Sequence, residues 1–289
     1  LAQRFVSGQS VRRVEDDSLL LGQGQFTDDF HPAGEATLVF LRSPHAAATV
    51  GAIDVEAARA VPGVIAVLTG VDLRDAGVKV QPGVGGFKRP DGQPGSAAPR
   101  WPLAIDRVHF VGEAVCAVIA ESREAARDAL DLIEVEYEPL DAVTTIAAAL
   151  ADGAPRVAAH LADNICAETR YGDSKATDAA FAKAAHVVAV EIDNQRLAPA
   201  SIEPRTVLAW PDETDGRITI RLSTQMPTAV RGGIAEGVFS VSPDQVRVVV
   251  ADVGGGFGMK TGIYPEDIAV AYAARRLSRP VKWVADRSE

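Results

Sequence analysis

The chain has 289 residues, of which 47% are hydrophobic and 24% charged, and these values are typical of one or two globular domains. Its formal net charge of −10 argues against binding to nucleic acid or to an anionic membrane, because both attract a basic protein face. The longest strongly apolar run, residues 114–120, is far too short to span a bilayer, and the N-terminus lacks the apolar core of a signal peptide. We therefore expect a cytoplasmic protein without a membrane span.

The metal-binding residue types show no metal-site spacing. The two cysteines, Cys116 and Cys166, are far apart and do not form a C-x-x-C motif, so we expect no iron–sulfur cluster on this chain. Cys116 lies in an apolar strand pattern and is predicted to be a core residue, and a disulfide between the two is not required. The five histidines are scattered without zinc spacing, and His45 is expected to have a structural role.

The first half of the chain alternates predicted strands and helices. Strands are predicted at residues 37–41, 49–53 and 64–69, with a helix at 55–60. We interpret the strand at 49–53, the helix and the strand at 64–69 as a β-α-β unit. Residues 74–100 are rich in Gly and Pro and predict a long loop. The remaining predictions are two strands paired around the Gly112-Glu113 turn, 107–110 and 114–120, then a helix at 123–132 capped by Ser122 and a strand at 133–137.

The second half follows a polar connection at residues 139–165, which contains a short predicted helix at 146–150. Helices are then predicted at 178–185, 228–238 and 265–277, the last because Pro265 suits a first helical turn and is followed by two acidic residues. Strands are predicted at 186–192, 206–210, 217–223 and 281–285 from their apolar patterns, together with a valine-rich strand from residue 246.

A glycine-rich loop, which we define as Gly254–Gly258 (GGGFG), follows the valine-rich strand. Consecutive glycines leave backbone N–H groups bare, so a ligand can approach them closely, although an ordinary turn is the simpler interpretation. A Walker A loop needs Gly directly before Lys-Ser/Thr, and here Met259 precedes Lys260-Thr261. A dinucleotide G-x-G-x-x-G motif fails at the same methionine, and neither motif is followed directly by a helix.

The sequence VGGGFGMK at residues 253–260 resembles the GGGFG-x-K motif of the molybdenum hydroxylases, the family of xanthine dehydrogenase, aldehyde oxidase and aerobic carbon monoxide dehydrogenase. Three further stretches resemble the same family in the same order: residues 111–143, 194–205 and the STQ at 223–225. The resemblance implies an α+β fold, with an α/β-hammerhead domain followed by the beginning of the molybdopterin-binding domain of the large subunit. We assign the arm and hammerhead to residues 1–138, the connection to 139–165, and an incomplete molybdopterin-binding domain to 166–289.

The same resemblance implies the site residues. In the family, the glutamine at the position of Gln225 hydrogen-bonds a molybdenum oxo ligand, and its amide is a suitable donor. The glycine loop, with Gly254, Gly255, Gly256, Phe257 and Gly258, is expected to lie against the molybdenum centre, with Phe257 as an apolar wall. A Cβ at Gly256 is expected either to clash with the cofactor or to strain a backbone of positive φ. No catalytic or metal-ligating residue is assigned to this chain, because the family's glutamate base lies downstream.

The implied activity is metal-assisted hydroxylation with water-derived oxygen, using molybdopterin, as its cytosine dinucleotide, with Mo. The implied substrate is an aldehyde, an aromatic N-heterocycle or carbon monoxide. Xanthine is disfavoured, because purine-oxidising members carry a glutamate where this chain has Thr261. Electrons are expected to leave through 2Fe-2S clusters and FAD on partner subunits. Further expected partners are the remainder of the molybdenum subunit and a small-molecule substrate.

Two alternatives of other classes remain at this stage. The chain could be a non-catalytic assembly module, in which the glycine loop is only a tight turn. It could also be a degenerate nucleotide-binding protein that uses Lys260-Thr261.

Overall fold

The computed structural model describes residue 8, residues 10–81 and residues 86–289. The strands in this part are β1 Ala36–Arg42, β2 Ala48–Asp54, β3 Val64–Thr69, β4 Arg107–Val108, β5 Ala114–Ala120, β6 Glu134–Pro139, β7 Thr206–Pro211, β8 Ile218–Leu222, β9 Val246–Val249 and β10 Val281–Val284. The α-helices are α1 Asp16–Leu20, α2 Glu56–Arg59, α3 Gly70–Asp75, α4 Arg123–Leu130, α5 Ile146–Leu150, α6 Ser174–Lys183, α7 Pro227–Gly232 and α8 Pro265–Leu277. A π-helix, Gly233–Phe239, and a 3-10 helix, Pro243–Gln245, complete the helical segments. No helix in these described ranges is long and apolar enough to cross a membrane.

The main sheet has seven strands in the order β3-β5-β1-β10-β7-β8-β9. Strand β1 is antiparallel to β5 and parallel to β10, with Ala36 opposite Val281. Strands from both sides of the predicted connection therefore share one sheet. The division at residues 139–165 stays a prediction.

A smaller sheet, β4-β2-β6, differs from the predicted pairing. The hairpin of residues 107–110 with 114–120 is wrong, because β4 pairs with β2 while β5 pairs with β1 and β3. All seven residues of β5 are buried, so a central place between two strands satisfies its backbone and both faces. The predicted β-α-β unit is wrong for a related reason, since β2 and β3 belong to different sheets.

Two helical layers cover the main sheet. On one face, α8 packs with the π-helix against β7, β8 and β10, and their apolar side chains form the largest core cluster. On the opposite face, α2 and α4 pack against β1, β3 and β5, with Ala126 and Ala129 of α4 completely buried. Cys116 belongs to this second cluster, where burial raises the pKa of its thiol to about 12. Cys166 is exposed, and both cysteines are free.

Helix α8 has the bounds predicted from the sequence, and its local chemistry explains them. Pro265 occupies the first turn, Tyr264 N–H donates a hydrogen bond to the Asp267 carboxylate, and Arg275 and Arg276 lie in the last turn. The helix buries nine consecutive residues, Glu266 to Ala274. It therefore belongs to the core that packs against the main sheet.

The strand predicted at residues 186–192 is wrong. The backbone there forms no strand, and Val188, Val190 and Ile192 are exposed. Alternating apolar residues favour a strand only where a neighbouring strand satisfies the backbone hydrogen bonds, and none of the described strands pairs with this segment. The helix predicted at 178–185 is found as α6, and the helix predicted at 228–238 is found as α7 continuing into the π-helix.

Candidate functional site

The candidate site lies where two parallel strands of the main sheet end side by side. Strands β8 and β9 are parallel, with Ile218 opposite Val246, so their carboxyl ends meet at one edge. Ser223, Thr224 and Gln225 follow β8, and the glycine loop follows β9 after a short extended segment. The sheet thus brings the two predicted cofactor-binding segments together.

Lys260 joins these two segments through its backbone carbonyl. That oxygen accepts hydrogen bonds from the Gln225 N–H at 2.8 Å and from the Thr224 hydroxyl at 3.0 Å. The end of the glycine loop and the end of β8 are therefore fixed to each other by backbone geometry.

The side chain of Gln225 is held against the loop through its oxygen. The N–H of Gly258 donates to Gln225 Oε1 at 3.0 Å, which determines which way the carboxamide faces. No acceptor among the described residues is bonded to its amide nitrogen, and Gln225 is exposed. The Nε2 group is therefore a fixed hydrogen-bond donor available to a ligand at the loop.

Gly256 leaves space for this glutamine. A Cβ on Gly256 would overlap the Gln225 carboxamide, coming within 2.6 Å of its Cδ. The expected positive φ at Gly256 is wrong, because positive φ values occur instead at Gly255, Phe257 and Gly258. The expected clash of a Cβ with the cofactor stays a prediction. The contact with Gln225 is by itself a reason for a glycine at this position.

Phe257 is presented to solvent by an unusual backbone. Its φ is 48°, in the left-handed region that favours glycine, and its side chain is 75% exposed. The ring edge lies over Gly255, whose Cβ, if present, would be 2.9 Å from Phe257 Cε2. No described residue covers this ring, so its role as an apolar wall stays a prediction.

Glu203 was not singled out from the sequence, although it lies in the stretch of residues 194–205 that was noted there. Its Oε2 atom accepts hydrogen bonds from the Gly254 N–H at 2.7 Å, the Ser223 hydroxyl at 2.6 Å and Lys260 Nζ at 3.0 Å. The sequence did contain one signal for this contact. A glutamate and a lysine both lie near strand ends, and a charged side chain that is buried there needs an ion-pair partner.

Lys260 is almost completely buried, with 2% of its surface exposed. Its Nζ donates to Glu203 Oε2, to the Glu203 carbonyl at 3.0 Å and to Ser223 Oγ at 2.8 Å. All three ammonium protons thus have protein acceptors, so Lys260 cannot contact a phosphate in this conformation. Helix α8 also begins only at Pro265. The nucleotide-binding alternative loses both features that a P-loop requires.

A second buried ion network lies at the start of α8. Glu266 bridges Arg42 of β1 at 3.1 Å and Arg205 at 3.0 Å, and Arg205 stacks 4.0 Å from the centre of the Tyr264 ring. Burial opposes the charged form of Glu266, but the attraction of the two arginines wins, so its pKa is lowered. Burial raises the pKa of Asp267 to about 7 against the hydrogen bond from Tyr264.

The donor set at the loop edge fits a group that carries anionic or oxo oxygens. The Gln225 amide nitrogen is an available donor beside the exposed Phe257 ring, whereas the N–H groups of Gly254 and Gly258 already donate to Glu203 and Gln225. Within residues 8, 10–81 and 86–289, no group of three or more His, Cys, Asp or Glu side chains is arranged to hold a metal ion.

Comparisons with known protein families match two separate parts of the chain. Residues 21–141 match the family model "Aldehyde oxidase and xanthine dehydrogenase, a/b hammerhead domain", and residues 157–289 match "Molybdopterin cofactor-binding domain". The nicotine 6-hydroxylase large subunit of Paenarthrobacter nicotinovorans is 37% identical over 99% of this chain and 34% of its own length. The carbon monoxide dehydrogenase large chain of Afipia carboxidovorans is 32% identical over 98% of this chain and 35% of its own length.

A similar solved structure, quinoline 2-oxidoreductase from Pseudomonas putida 86, superimposes with a TM-score of 0.85 at 38% identity. The match covers 96% of this chain and 34% of that chain. The chain therefore spans about a third of the length of the relatives it matches. Its fold is a hammerhead domain plus the start of the molybdenum-binding domain, as predicted. The chain belongs to the xanthine dehydrogenase and aldehyde oxidase family of molybdopterin-dependent oxidoreductases.

Proposed function

We propose that the chain is part of the molybdenum-cofactor subunit of a hydroxylase or dehydrogenase that oxidises a small molecule with water-derived oxygen. The observation that carries this proposal is the Gln225 carboxamide, whose oxygen is bonded to Gly258 N–H and whose amide donor is left beside the glycine loop. A bound molybdopterin, proposed to be the cytosine dinucleotide form, would supply metal-assisted hydroxylation.

The residues of this chain would bind and orient that group. The Gln225 amide would donate a hydrogen bond to an oxygen of the cofactor, and the glycine loop would lie against it. Gly258, where an added Cβ would meet nothing within 4 Å, would allow close approach to the backbone. The exposed Phe257 ring would exclude water from one side of the site. We assign no proton-transfer residue to this chain.

The proposed substrate is an aldehyde, an aromatic N-heterocycle or carbon monoxide, and the N-heterocycle is favoured. Two similar proteins are named for nicotine and quinoline, which are N-heteroaromatic compounds, and another is named for carbon monoxide. Thr261, whose hydroxyl donates to the Gly258 carbonyl at 2.8 Å, occupies the position after Lys260. A threonine cannot supply the carboxylate found there in purine-oxidising members, so xanthine stays disfavoured.

The proposed partners are an iron–sulfur subunit, an FAD subunit and the remainder of the molybdenum subunit. The chain has only two cysteines and no C-x-x-C motif, so the proposed electron carriers are assigned outside these 289 residues. Native mass spectrometry of the complex purified from its source is expected to show these subunits. A redox-active complex that contains this chain alone would contradict the assignment.

Replacement of Gln225 by Ala in the intact complex tests the proposal. A hydrogen bond to a charged centre contributes about 1.5–3 kcal/mol, so turnover is expected to fall about tenfold or more while molybdenum content is kept. Gln245→Ala is the matched control, because Gln245 is also exposed and lies at the opposite end of β9. It should leave turnover unchanged.

Two outcomes would refute the proposal. An unchanged rate in a fully metallated Gln225→Ala enzyme would exclude the role of the amide. A wild-type complex that contains no molybdenum would favour the non-catalytic assembly module, in which the glycine loop is only a turn.

A further inference from the structure

The buried ion pair between Glu203 and Lys260 connects all the segments that form the proposed site. Their charged atoms are 3.0 Å apart, and the two side chains are 10% and 1% exposed. Glu203 precedes β7, and Lys260 follows the glycine loop. Neither residue is part of the donor set that the proposed function assigns to the cofactor.

The carboxylate of Glu203 fixes the loop at its first residue. The Gly254 N–H donates to Glu203 Oε2 at 2.7 Å, and the Glu203 N–H donates to the Gly254 carbonyl at 3.2 Å. A Cβ on Gly254 would overlap the Cβ of Glu203, so the two backbones are in close contact. The entry to the loop is therefore held by both the backbone and the side chain of Glu203.

The same carboxylate fixes the loop at its far end and fixes the end of β8. Oε2 also accepts from Ser223, two residues before Gln225, and from Lys260. The carbonyl of Lys260 in turn accepts from the Gln225 N–H. Glu203 Oε2 is thus connected to Gln225 along two routes, through Ser223 and through Lys260.

We propose that Glu203 is a positioning residue that orders the glycine loop and sets the place of the Gln225 amide. The catalytic part of this inference rests on the proposed function. A glutamine at residue 203 could keep the hydrogen bonds from Gly254 and Ser223, but it would leave the Lys260 ammonium buried without a counter-charge. The loop is then expected to move, because burial of an unpaired charge is costly.

The chain offers a matched control in a second buried pair, Lys282 and Glu35. Their charged atoms are 3.1 Å apart, and the two side chains are 5% and 18% exposed. This pair links β10 to the segment before β1 and bonds to no residue of the glycine loop. A purely structural role for Glu203 would make Glu203→Gln and Glu35→Gln equivalent in their effects.

The experiment compares Glu203→Gln with Glu35→Gln in the complete enzyme complex. Glu203→Gln is expected to lower kcat about tenfold or more with KM changed less than about twofold, and to alter the Mo(V) electron paramagnetic resonance spectrum. Peptides covering residues 254–260 should exchange amide hydrogen faster in the cofactor-free protein. Glu203→Asp should restore part of the slow exchange, and Glu35→Gln should show none of these changes.

Equal loop exchange in Glu203→Gln and wild type would overturn the inference. So would an identical pattern of effects in Glu203→Gln and Glu35→Gln. Because exchange is measured without the cofactor, it separates this inference from the proposed function. A molybdenum-free wild-type complex refutes the proposed function, whereas the exchange rates alone decide whether Glu203 orders the loop.

Discussion

Residues 201–289 and residues 169–200 both lie in the region matched by the molybdopterin cofactor-binding family model, but they are packed in different ways. The first segment contributes four strands to the main sheet and buries nine consecutive residues of α8. In the second, every residue is exposed. Both segments contain valine-rich alternating sequence, so the difference teaches that apolar alternation determines burial only where neighbouring strands complete the hydrogen bonds.

The largest expected effect comes from Lys→Met substitutions in the two segments. Lys260→Met would leave the carboxylate of Glu203 buried without its ion-pair partner, at a cost of about 3–5 kcal/mol in the free energy of unfolding. The same change at Lys183, on the exposed helix α6, should alter stability by less than about 0.5 kcal/mol. Urea denaturation of both variants measures the two changes in the free energy of unfolding. Similar losses at the two positions would contradict the proposed difference in packing between the two segments.

The free energy of unfolding is expected to depend on pH through the titration of Asp267, which lies in the packed segment. Its pKa in the folded protein is about 7, above the ordinary value of 3.8, because burial disfavours the charged form. The folded state therefore binds the proton more tightly, and this stabilising contribution is complete below about pH 4 and is lost as the pH rises through 7. The limiting slope for one proton is about 1.4 kcal/mol per pH unit.

Asp267→Asn should remove that slope. Urea midpoints measured between pH 5 and pH 8 provide the test, and this range avoids the acid side, where the lowered pKa of Glu266 acts in the opposite direction. The assignment would be contradicted if the urea midpoint of the wild type rose steadily from pH 5 to pH 8 and the midpoint of Asp267→Asn showed the same pH dependence.

A smaller effect is expected where the backbones of Gly254 and Glu203 approach each other. Gly254→Ala would place a methyl group onto the Cβ of Glu203 and should cost about 1–3 kcal/mol. Gly262→Ala is the matched control, because a Cβ there meets nothing within 4 Å. Thermal unfolding should give a lower melting temperature for Gly254→Ala than for Gly262→Ala. Equal melting temperatures would show that the loop can move to accommodate the methyl group at little cost in free energy.

The smallest expected effect lies in the exposed segment. Val190→Ala should change the free energy of unfolding by less than about 0.5 kcal/mol, because its side chain is 74% exposed. Val207→Ala in β7 removes a completely buried side chain and should cost about 1–3 kcal/mol. A loss above 1 kcal/mol at Val190 would mean that residues 169–200 are packed in solution.

The predictions from sequence succeeded where local chemistry determines structure. The bounds of α8 follow from Pro265 at its start and the arginines at its end, and those of β3 and α5 were also predicted residue for residue. The predicted site residues Gln225 and Gly258 are in contact, because the strands before them are parallel neighbours. The resemblance of the glycine loop to the family motif supplied the family, which the comparisons confirm.

The sequence was less informative where the structure depends on contacts between residues that are far apart in the chain. The partners of β4 and β5 depend on which sheet each strand joins, and this is invisible in a local pattern. Glu203 and Lys260 are 57 residues apart, and nothing in the spacing alone predicts their contact. A positive φ was one of two reasons predicted for the glycine at residue 256, whereas the structure shows the side chain of Gln225, 31 residues earlier in the chain, in contact with it.

The pairing of β1 with β10 has a consequence for synthesis on the ribosome. Strand β10 begins at Val281, about 240 residues after β1 ends at Arg42. At a synthesis rate of about 5–20 residues per second, roughly 12–50 s pass before β10 is made, and during this time one edge of β1 lacks its native partner strand. An unpaired edge in a nascent chain can pair with other chains, and such non-local pairing also slows folding. The centre of the main sheet is therefore completed last, and in this interval the nascent chain depends most on protection from aggregation.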